Sequence, residues 1–423
     1  MAVTAIRLGR VGILKPLKIR DFALLWTGMT VSLLGDGLYG VAIAWQVYSI
    51  SNAPTALAVV GVAWMLPQVL LVLVGGVVSD RFERRVVLMV SDAVRGAAIA
   101  ALGLLTITGS LRLWHAVVLV AVYGAGSAAF APAFTGIVRD VVPRELLVEA
   151  NSLDQFVRPL CVRIVGPVLG GVIIGLAGAG TAFLADAATF AVSAFAFLLM
   201  RTRSHPVPTG RSATREALDG IAYVRSRTWL WATMAATVVG MFAFFGPVYV
   251  LMPYVVKNSL HGGAGGLGLV LAAGGVGAVA AALLRGQIGL PRRPLAVVYL
   301  AYAVTTFSIV GYAFAGSVWG AMLVSFVCIG CLTTGVIVWT TVLQQSVPAH
   351  MIGRVASLDW VLSIGLAPIS YALTALVADA FGPRSTLVAA GILGSVALLL
   401  VLALVPAVRS FADEEAEPMA AAA

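Results

Sequence analysis

Long apolar runs recur along the whole chain of 423 residues. Each run holds about 20 residues, which as a helix is enough to cross the roughly 30 Å hydrocarbon core of a membrane. Because unpaired backbone groups are costly in lipid, runs of this length are expected to be helical. We count twelve, over residues 22–48, 55–78, 86–107, 114–137, 157–177, 181–200, 229–253, 266–285, 295–314, 318–342, 360–378 and 385–407. The pattern predicts an all-α membrane protein with twelve transmembrane helices.

The distribution of charge predicts the orientation of these helices. Only 11% of the residues are charged, against roughly a quarter in soluble proteins. The net charge of +9 is concentrated in alternate loops, and the opposite loops carry only Arg112, Lys257 and Arg384. Arginine and lysine favour the cytoplasmic side of a membrane. We therefore predict a multi-pass protein of the plasma (inner) membrane with both termini in the cytoplasm, whose partner is the lipid bilayer and not a nucleic acid.

One polar segment occurs twice in the chain. The sequence VPRELLVEANSLD at 142–154 returns as VPAHMIGRVASLD at 347–359, shifted by 205 residues, after the fourth and the tenth span. A repeat of six spans gives both halves the same orientation, which is typical of transporters built from two parallel bundles. We expect the Ser-Leu-Asp of each copy to cap the start of the next helix through its carboxylate.

The repeat divides the chain into two bundles of six helices. We predict an N-terminal bundle over 1–200 and a C-terminal bundle over 229–410. The polar segment 201–228 is expected to be a cytoplasmic linker with an amphipathic helix on the membrane surface. The acidic, alanine-rich tail 411–423 is expected to be a disordered cytoplasmic end.

The loop between the second and third spans carries an ordered motif. Its sequence, GGVVSDRFERRVV at 75–87, resembles the major facilitator superfamily signature G-x-x-x-D-R-x-G-R-[RK], although Glu83 replaces the second glycine. The resemblance implies the major facilitator fold and a cytoplasmic gating loop whose arginines pair with carboxylates on neighbouring helices. The matching residues are Gly76, Asp80, Arg81, Arg84 and Arg85.

A second motif lies in the fifth span. The sequence RIVGPVLGG at 163–171 resembles the antiporter motif GPxxGG of exporting members of this superfamily, through Gly166, Pro167, Gly170 and Gly171. Glycine lets another helix approach closely, and proline permits a bend. The resemblance to this motif implies proton-driven export rather than uptake. The first 200 residues or so, including LPQVLLVLVGGVVSDRFERR at 66–85 and NSLDQFVRPLCVRIVGP at 151–167, resemble the branch of bacterial siderophore exporters and macrolide efflux pumps. The fourth span lacks the arginine of the usual drug-antiporter motif, so no proton-relay role is carried over to it.

Ionisable groups inside a membrane are costly and usually functional. Asp36 lies about 14 residues, roughly 21 Å, into the first span, and a stripe of Gly28, Ser32 and Gly40 is expected to direct it towards packed protein. Asp186 lies nearer the outer end of the sixth span, where interfacial water can solvate it. Asp36 and Asp186 are therefore candidates for proton coupling; the alternative is a structural aspartate bonded to neighbouring backbone or serine.

Other candidates for the site carry a positive charge or an aromatic ring. Arg163 is expected either to pair with an acid or an anionic substrate group, or to snorkel to the membrane surface. Asp92 and Arg95, one turn apart in the third span, are expected to pair with each other or with the Asp80 loop. The second half has no acid near mid-membrane, and its candidate substrate contacts are Phe245, Tyr249, Trp339, Gln344 and Trp360.

These features predict a proton-coupled exporter, or antiporter, of a lipophilic or amphipathic small molecule such as a drug, antibiotic or siderophore, acting by alternating access. An importer or uniporter, and a lipid or lysolipid transporter on the same fold, stay open as alternatives. The CIGC of 328–331 lies in an apolar span without histidine or carboxylate, so we predict that these cysteines pack in the span and bind no metal or cofactor. The four histidines lie in or beside loops on different parts of the chain, so no convergent catalytic group is expected and we predict no enzyme activity. A monomer is the default of the family.

Overall fold

The computed structural model describes residues 12–143, 146–202, 213–288, 290–348 and 351–409. The first half contains helices α1 Arg20–Ile50, α2 Pro54–Arg81, α3 Arg84–Ile107, α4 Leu113–Val141, α5 Phe156–Ala177 and α6 Ala179–Leu198. The second half contains α7 Thr228–Ser259, α8 Gly263–Ile288, α9 Pro294–Phe314, α10 Val318–Ser346, α11 Arg354–Phe381 and α12 Pro383–Leu404.

Eleven of these helices, α2 to α12, are long and apolar enough to cross a membrane, judged over the described residues by length and composition. The remaining helix, α1, has 31 residues and packs against α5 and α6 as a full member of its bundle. At 1.5 Å per residue it is long enough to span the hydrocarbon core. The predicted all-helical membrane fold is confirmed.

The two halves repeat the same helix packing. In the first half α6 packs against α1 and α3, α4 against α2 and α3, and α5 against α1. In the second half α12 packs against α7 and α9, α10 against α8 and α9, and α11 against α7. Each contact of the first half therefore has its counterpart six helices later, and the predicted parallel repeat is confirmed.

Two glycines mark the same turn in each half. Gly178 between α5 and α6 has φ 83°, and Gly382 between α11 and α12 has φ 85°. With ψ 165° at Gly178 and 152° at Gly382, both have a backbone conformation that is essentially restricted to glycine. Each turn lets the sixth helix of its half fold back against the fifth.

The prediction that Ser-Leu-Asp caps a helix is wrong in both copies. The chain turns at Pro143 and Pro348, and helical segments begin at Leu147 and Ile352, in each case more than one turn before the aspartate. From Leu147 and Ile352 onward the polar residues are part of a helix and do not form a loop. Asp154 instead forms an ion pair with Arg158 at 3.0 Å, while Asp359 accepts a side-chain hydrogen bond inside the helix.

A short helix, Ala213–Arg225, precedes α7 and is named here the connecting helix. It packs on the C-terminal half, where Asp219 pairs with Arg354 at 3.2 Å and Gly220 lies against Arg354 and Leu358. Of the predicted linker and tail, residues 203–212 and 411–423 lie outside the described residues. The proposed domain limits stay predictions.

One end of the bundle is named here the arginine-rich face, because arginines are frequent in its connections. These are the α2–α3, α4–α5, α8–α9 and α10–α11 connections. The other end of the bundle, which holds the α1–α2, α5–α6, α7–α8 and α11–α12 turns, is the opposite face. The two halves meet along α5 with α8 and along α2 with α11. These two contacts are equivalent to each other under the repeat, so a central space can form between them.

Candidate transport site

Asp36 lies in the middle of α1 and is half-buried. The Tyr123 hydroxyl of α4 donates a hydrogen bond of 2.7 Å to Asp36 Oδ1. One turn further on, Gly40 is exposed, and a Cβ placed there meets no atom within 4 Å. The small-residue stripe packs at Gly28, which contacts Ser193 of α6, but it faces open space at Gly40. Asp36 therefore contacts packed protein through Tyr123, as predicted, and lies one turn from the open space beside Gly40.

Asp186 of α6 is completely buried, so the expectation that interfacial water solvates it is wrong. Its Oδ1 is within 3.4 Å of the Thr189 hydroxyl, and its Oδ2 has no hydrogen-bond partner among the described residues. Gly35 of α1 lies directly against this carboxylate, and a Cβ there would collide with it. The close approach of α1 and α6 at Gly35 shields Asp186 from water.

Asp92 and Arg95 of α3 form a buried ion pair, as the spacing of one turn predicts. Arg95 is 4% exposed and Asp92 is 0% exposed. The guanidinium carbon lies 4.3 Å from the centre of the Phe130 ring and 4.6 Å from that of Phe190. Cation–π contacts of this kind stabilise a cation that has left water.

Four charged groups from three helices meet in this region, and together with Tyr123 they are named here the charge cluster. Asp36, Asp186 and Tyr123 each interact electrostatically with Arg95, and Asp36 also with Asp92. The sequence suggested the Asp92–Arg95 pair but not its neighbours, because nothing in the chain shows which faces of α1, α3, α4 and α6 meet. The helical registers that unite them depend on tertiary packing.

The candidate aromatic residues of the second half lie in two separate places. Phe245 and Tyr249 of α7 stack with ring centres 6.0 Å apart, and Tyr249 also contacts Tyr371 of α11 at 6.4 Å. The Tyr371 ring lies against Gly61 of α2, so this group is at the junction of the halves. Tyr249 is 43% exposed there.

Trp339 lies apart from that group and is 3% exposed. Its indole N–H donates a hydrogen bond of 3.0 Å to Asp359 Oδ1, and its ring packs edge-on against Trp229. Gln344 and Trp360 are exposed near the arginine-rich face. Arg163 is exposed as well and forms no ion pair with any residue that the structure describes.

The glycines of the fifth-span motif serve two interfaces. Gly166 lies against Gly37 of α1, where an added Cβ would be 2.6 Å from the Gly37 Cα. On the other side, a Cβ at Gly171 would be 3.1 Å from Gly265 Cα of α8, and one at Gly268 would be 2.5 Å from the Pro167 carbonyl oxygen. Gly170 joins Gly166 by packing on the Leu38 backbone of α1. The motif therefore holds α5 within its own half and also against the other half.

Polar contacts close the two halves together at the opposite face. The Tyr48 hydroxyl of α1 donates to the Val250 carbonyl of α7 at 2.6 Å, and Asn52 Nδ2 donates to Asn258 Oδ1 at 2.7 Å. Lys257 Nζ donates to the Tyr48 carbonyl. A cation at the C-terminal end of a helix is favoured by the helix dipole. These contacts are named here the opposite-face seal.

The signature loop makes contacts inside the N-terminal half. Arg84 pairs with Asp140 at the end of α4 at 2.8 Å, and Arg85 donates to the Met200 carbonyl after α6 at 2.5 Å. Arg81 is exposed. The surroundings of Gly76 and the side chain of Asp80 lie outside what the structure describes. The predicted pairing of these arginines with carboxylates of neighbouring helices is seen for Arg84, and the gating role stays a prediction.

Two six-helix bundles in parallel repeat, a buried charge cluster in one of them and a seal at one end define a secondary transporter fold. Residues 11–422 match the sequence model of the family described as "transmembrane secretion effector". The chain therefore belongs to this family of major facilitator transporters, as the two motifs predicted.

Curated relatives cover most of the chain. It is 29% identical over 380 residues to the multidrug efflux pump Tap of Mycobacterium tuberculosis, a match that covers 84% of this chain and 86% of that one. It is 21% identical over 373 residues to the macrolide efflux protein A of Streptococcus pyogenes, with 85% and 90% covered. A solved structure, that of a bacterial homologue of the iron transporter ferroportin in an inward-facing state, aligns with a TM-score of 0.71. Its identity is 16% with 91% and 98% covered, so this likeness concerns the fold alone.

Proposed function

We propose that this protein is a proton-coupled exporter of lipophilic or amphipathic small molecules. The observation that carries the proposal is Asp36, a half-buried carboxyl group bonded to Tyr123 beside open space in a chain that is 61% hydrophobic. A carboxyl group in such a place can exchange a proton with the space and respond to a substrate there. The names of the two relatives, a multidrug efflux pump and a macrolide efflux protein, support export of drug-like molecules.

The proposed transport cycle is alternating access between the two halves. In the present state the opposite-face seal is closed, and Gly40 and Asp36 border open space below it. If both termini are cytoplasmic, as the arginine distribution predicts, this state admits substrate from the cytoplasm. Opening to the outside then requires the seal to break while the arginine-rich ends of the halves approach.

Protonation of Asp36 is proposed to bias this exchange of states. Taking a proton from outside neutralises Asp36 and favours the return to the present state, because a neutral carboxyl group is less costly to bury. Release of that proton to the cytoplasm leaves a carboxylate that favours substrate binding and opening outward. The junction aromatics Phe245 and Tyr249 supply an apolar surface for the substrate. The path lies within one chain, so a monomer in the inner membrane is sufficient for the cycle.

The proposal is tested with purified protein in liposomes under an imposed pH gradient. An internal dye reports proton movement while lipophilic cations, macrolides and siderophores are added in turn. Native protein is compared with Asp36→Asn and with a control, Asp379→Asn. Asp379 is an exposed carboxylate near the C-terminal end of α11. Proton movement that depends on substrate in the native and control proteins, and is absent in Asp36→Asn, is the expected result.

Two results would overturn the proposal in different ways. If substrate moves equally well without a gradient and through Asp36→Asn, the protein is a uniporter or a lipid transporter. If substrate and protons move in the same direction, it is an importer.

A further inference from the structure

The Asp92–Arg95 pair is incompletely satisfied. The contact joins Arg95 Nη2 to Asp92 Oδ1, whereas Arg95 Nε and Asp92 Oδ2 are buried with no hydrogen-bond partner among the described residues. A guanidinium has five N–H donors in a fixed plane, so a buried arginine with one such bond has donors to spare. An incompletely satisfied buried ion pair is costly and is a poor choice for stability alone.

Helices α1, α4 and α6 and the helix of Arg95 itself each place an acidic or hydroxyl group near its guanidinium. From α1 comes Asp36, from α4 Tyr123, from α6 Asp186, and from its own helix Asp92. The Phe130 and Phe190 rings also lie close to the guanidinium, and Gly126 of α4 lies against the aliphatic part of Arg95. Asp186 Oδ2 is also buried without a partner in the described part of the chain.

The charges of this cluster do not balance when all its acids are ionised. Three carboxylates against one guanidinium leave two negative charges inside the protein, where charges without partners are strongly disfavoured. Protons must therefore reside on the cluster for part of the cycle, and the guanidinium can compensate fully for one carboxylate at a time. The carboxylate that bonds to the guanidinium stays ionised, and the proton is then held on one of the other two.

We infer that Arg95 is a positioning residue that alternates between Asp92 and the pair of Asp36 and Asp186. When Asp36 holds its proton, Arg95 bonds to Asp92 as in the present structure. When Asp36 releases the proton to the open space, the unused donors of Arg95 turn to the new carboxylate. The Phe130 and Phe190 rings lie near the guanidinium carbon and accept no conventional hydrogen bond. Arg95 Nε has no partner among the described residues, so a donor is available for this change of partner. Arg95 itself keeps its charge and does not touch the substrate.

This inference rests on the proposed proton coupling, and a double variant separates the two. Arg95→Gln combined with Asp92→Asn removes both charges of the pair and leaves amides that can bond to each other, so the fold should survive. Substrate should still move down its own gradient, which shows that the double variant is folded and binds substrate. Accumulation driven by the pH gradient should fall about tenfold or more, because an adjacent opposite charge changes the proton affinity of a carboxyl group by about one to three pH units.

A second variant, Arg95→Lys, keeps the charge but loses the planar donors. This variant should fold and bind substrate. Its half-maximal gradient-driven transport should require a higher pH, because an ammonium group bonded to one carboxylate stabilises the other carboxylates less. Those groups then hold their protons more tightly. Arg227→Lys is the matched control, since Arg227 is exposed and lies over the Tyr223 ring. Folding is checked by size-exclusion chromatography and thermal unfolding.

The outcomes are distinct. Native protein without gradient-driven transport overturns the proposed function and this inference with it. Native coupling together with full coupling in the folded double variant overturns this inference alone, and shows that Arg95 is structural. If the double variant does not fold, Arg95→Lys decides: a native pH profile overturns the inference, and a shifted profile supports it.

Discussion

In the N-terminal half, the region enclosed by α1, α3, α4 and α6 holds three carboxyl groups and an arginine. In the C-terminal half, the matching region of α7, α9 and α10 holds hydroxyl groups. There the Tyr299 hydroxyl lies 3.3 Å from that of Thr233, and the Thr305 hydroxyl bonds to backbone carbonyls, including that of Cys328 at 3.3 Å. These hydroxyl groups are neutral over the whole physiological pH range.

The contrast shows that the two halves share their helix packing but differ in the chemistry of their buried side chains. Close helix contacts recur: Gly37 of α1 touches α5, and Gly246 of α7 touches Ser370 and Thr374 of α11. The charges do not recur. The C-terminal half can therefore keep one set of internal bonds throughout the cycle, while the N-terminal half changes its bonds with each proton.

The largest expected effect comes from breaking the packing that both halves share. A side chain at Gly37 would meet the Cys161 carbonyl and Gly166 at 2.8 Å, and one at Gly246 would meet the Ser370 backbone. Gly37→Leu and Gly246→Leu should each prevent folding, because overpacking costs about 1–3 kcal/mol and more where backbone must move. Gly40→Leu, which has open space around it, should leave the size-exclusion profile unchanged. A folded Gly37→Leu protein would contradict the packing described here.

The next effect concerns the chemistry that the halves do not share. Asp36→Asn should lower gradient-driven transport by about tenfold or more, as expected for a group that carries charge in a low-dielectric site. Asp359→Asn, in the other half, keeps an acceptor for the Trp339 indole and should change transport by no more than about threefold, or roughly 0.6 kcal/mol. Transport by both variants in the same liposomes checks the contrast. Equal losses would show that both halves take part in coupling.

A smaller effect is expected at the opposite-face seal, where the halves meet. Lys257→Met removes a hydrogen bond and a favourable charge at the α1 C-terminal end, together worth about 1–2 kcal/mol. Labelling of Gly40→Cys from the outside by an impermeant thiol reagent should rise about 5- to 30-fold. Arg384→Met is the control, because Arg384 lies on the same face and donates a hydrogen bond within its own half, to the Ala313 carbonyl. Unchanged labelling in Lys257→Met would mean that this lysine does not hold the seal.

The smallest effect is expected for Trp339→Phe. The variant loses the indole N–H that donates to Asp359 but keeps a ring against Trp229. Stability should drop by about 1 kcal/mol, seen as a slightly lower unfolding temperature, with transport close to native. A large loss of transport with normal stability would instead make Trp339 a substrate contact.

The sequence predicted the features that have a local or periodic cause. Apolar runs marked the spans, the 205-residue shift marked the repeat, and the spacing of Asp92 and Arg95 marked their pair. It did not predict where helices begin after Pro143 and Pro348, since polar residues are compatible with either a loop or the first turns of a helix. Local propensity does not distinguish these cases.

The assembly of the charge cluster needed information that the chain does not carry locally. Asp186 is 0% exposed because Gly35 lets α1 approach it, and nothing near Asp186 in sequence indicates this. The same holds for the seal, in which Lys257 reaches a backbone carbonyl of α1. A carbonyl acceptor has no residue signature, so a contact of this kind is visible only in the folded structure.

Alternating access between the two halves is the central claim, and cross-linking the seal tests it most directly. Asn52→Cys and Asn258→Cys are combined with Cys331→Ala, because Cys161 and Cys328 are buried. Substrate and proton fluxes are then measured in the same liposomes before treatment, after a short reducible thiol cross-linker, and after reduction. The account predicts that cross-linking abolishes both fluxes and that reduction restores both. Continued transport of either species through the cross-linked protein would contradict it.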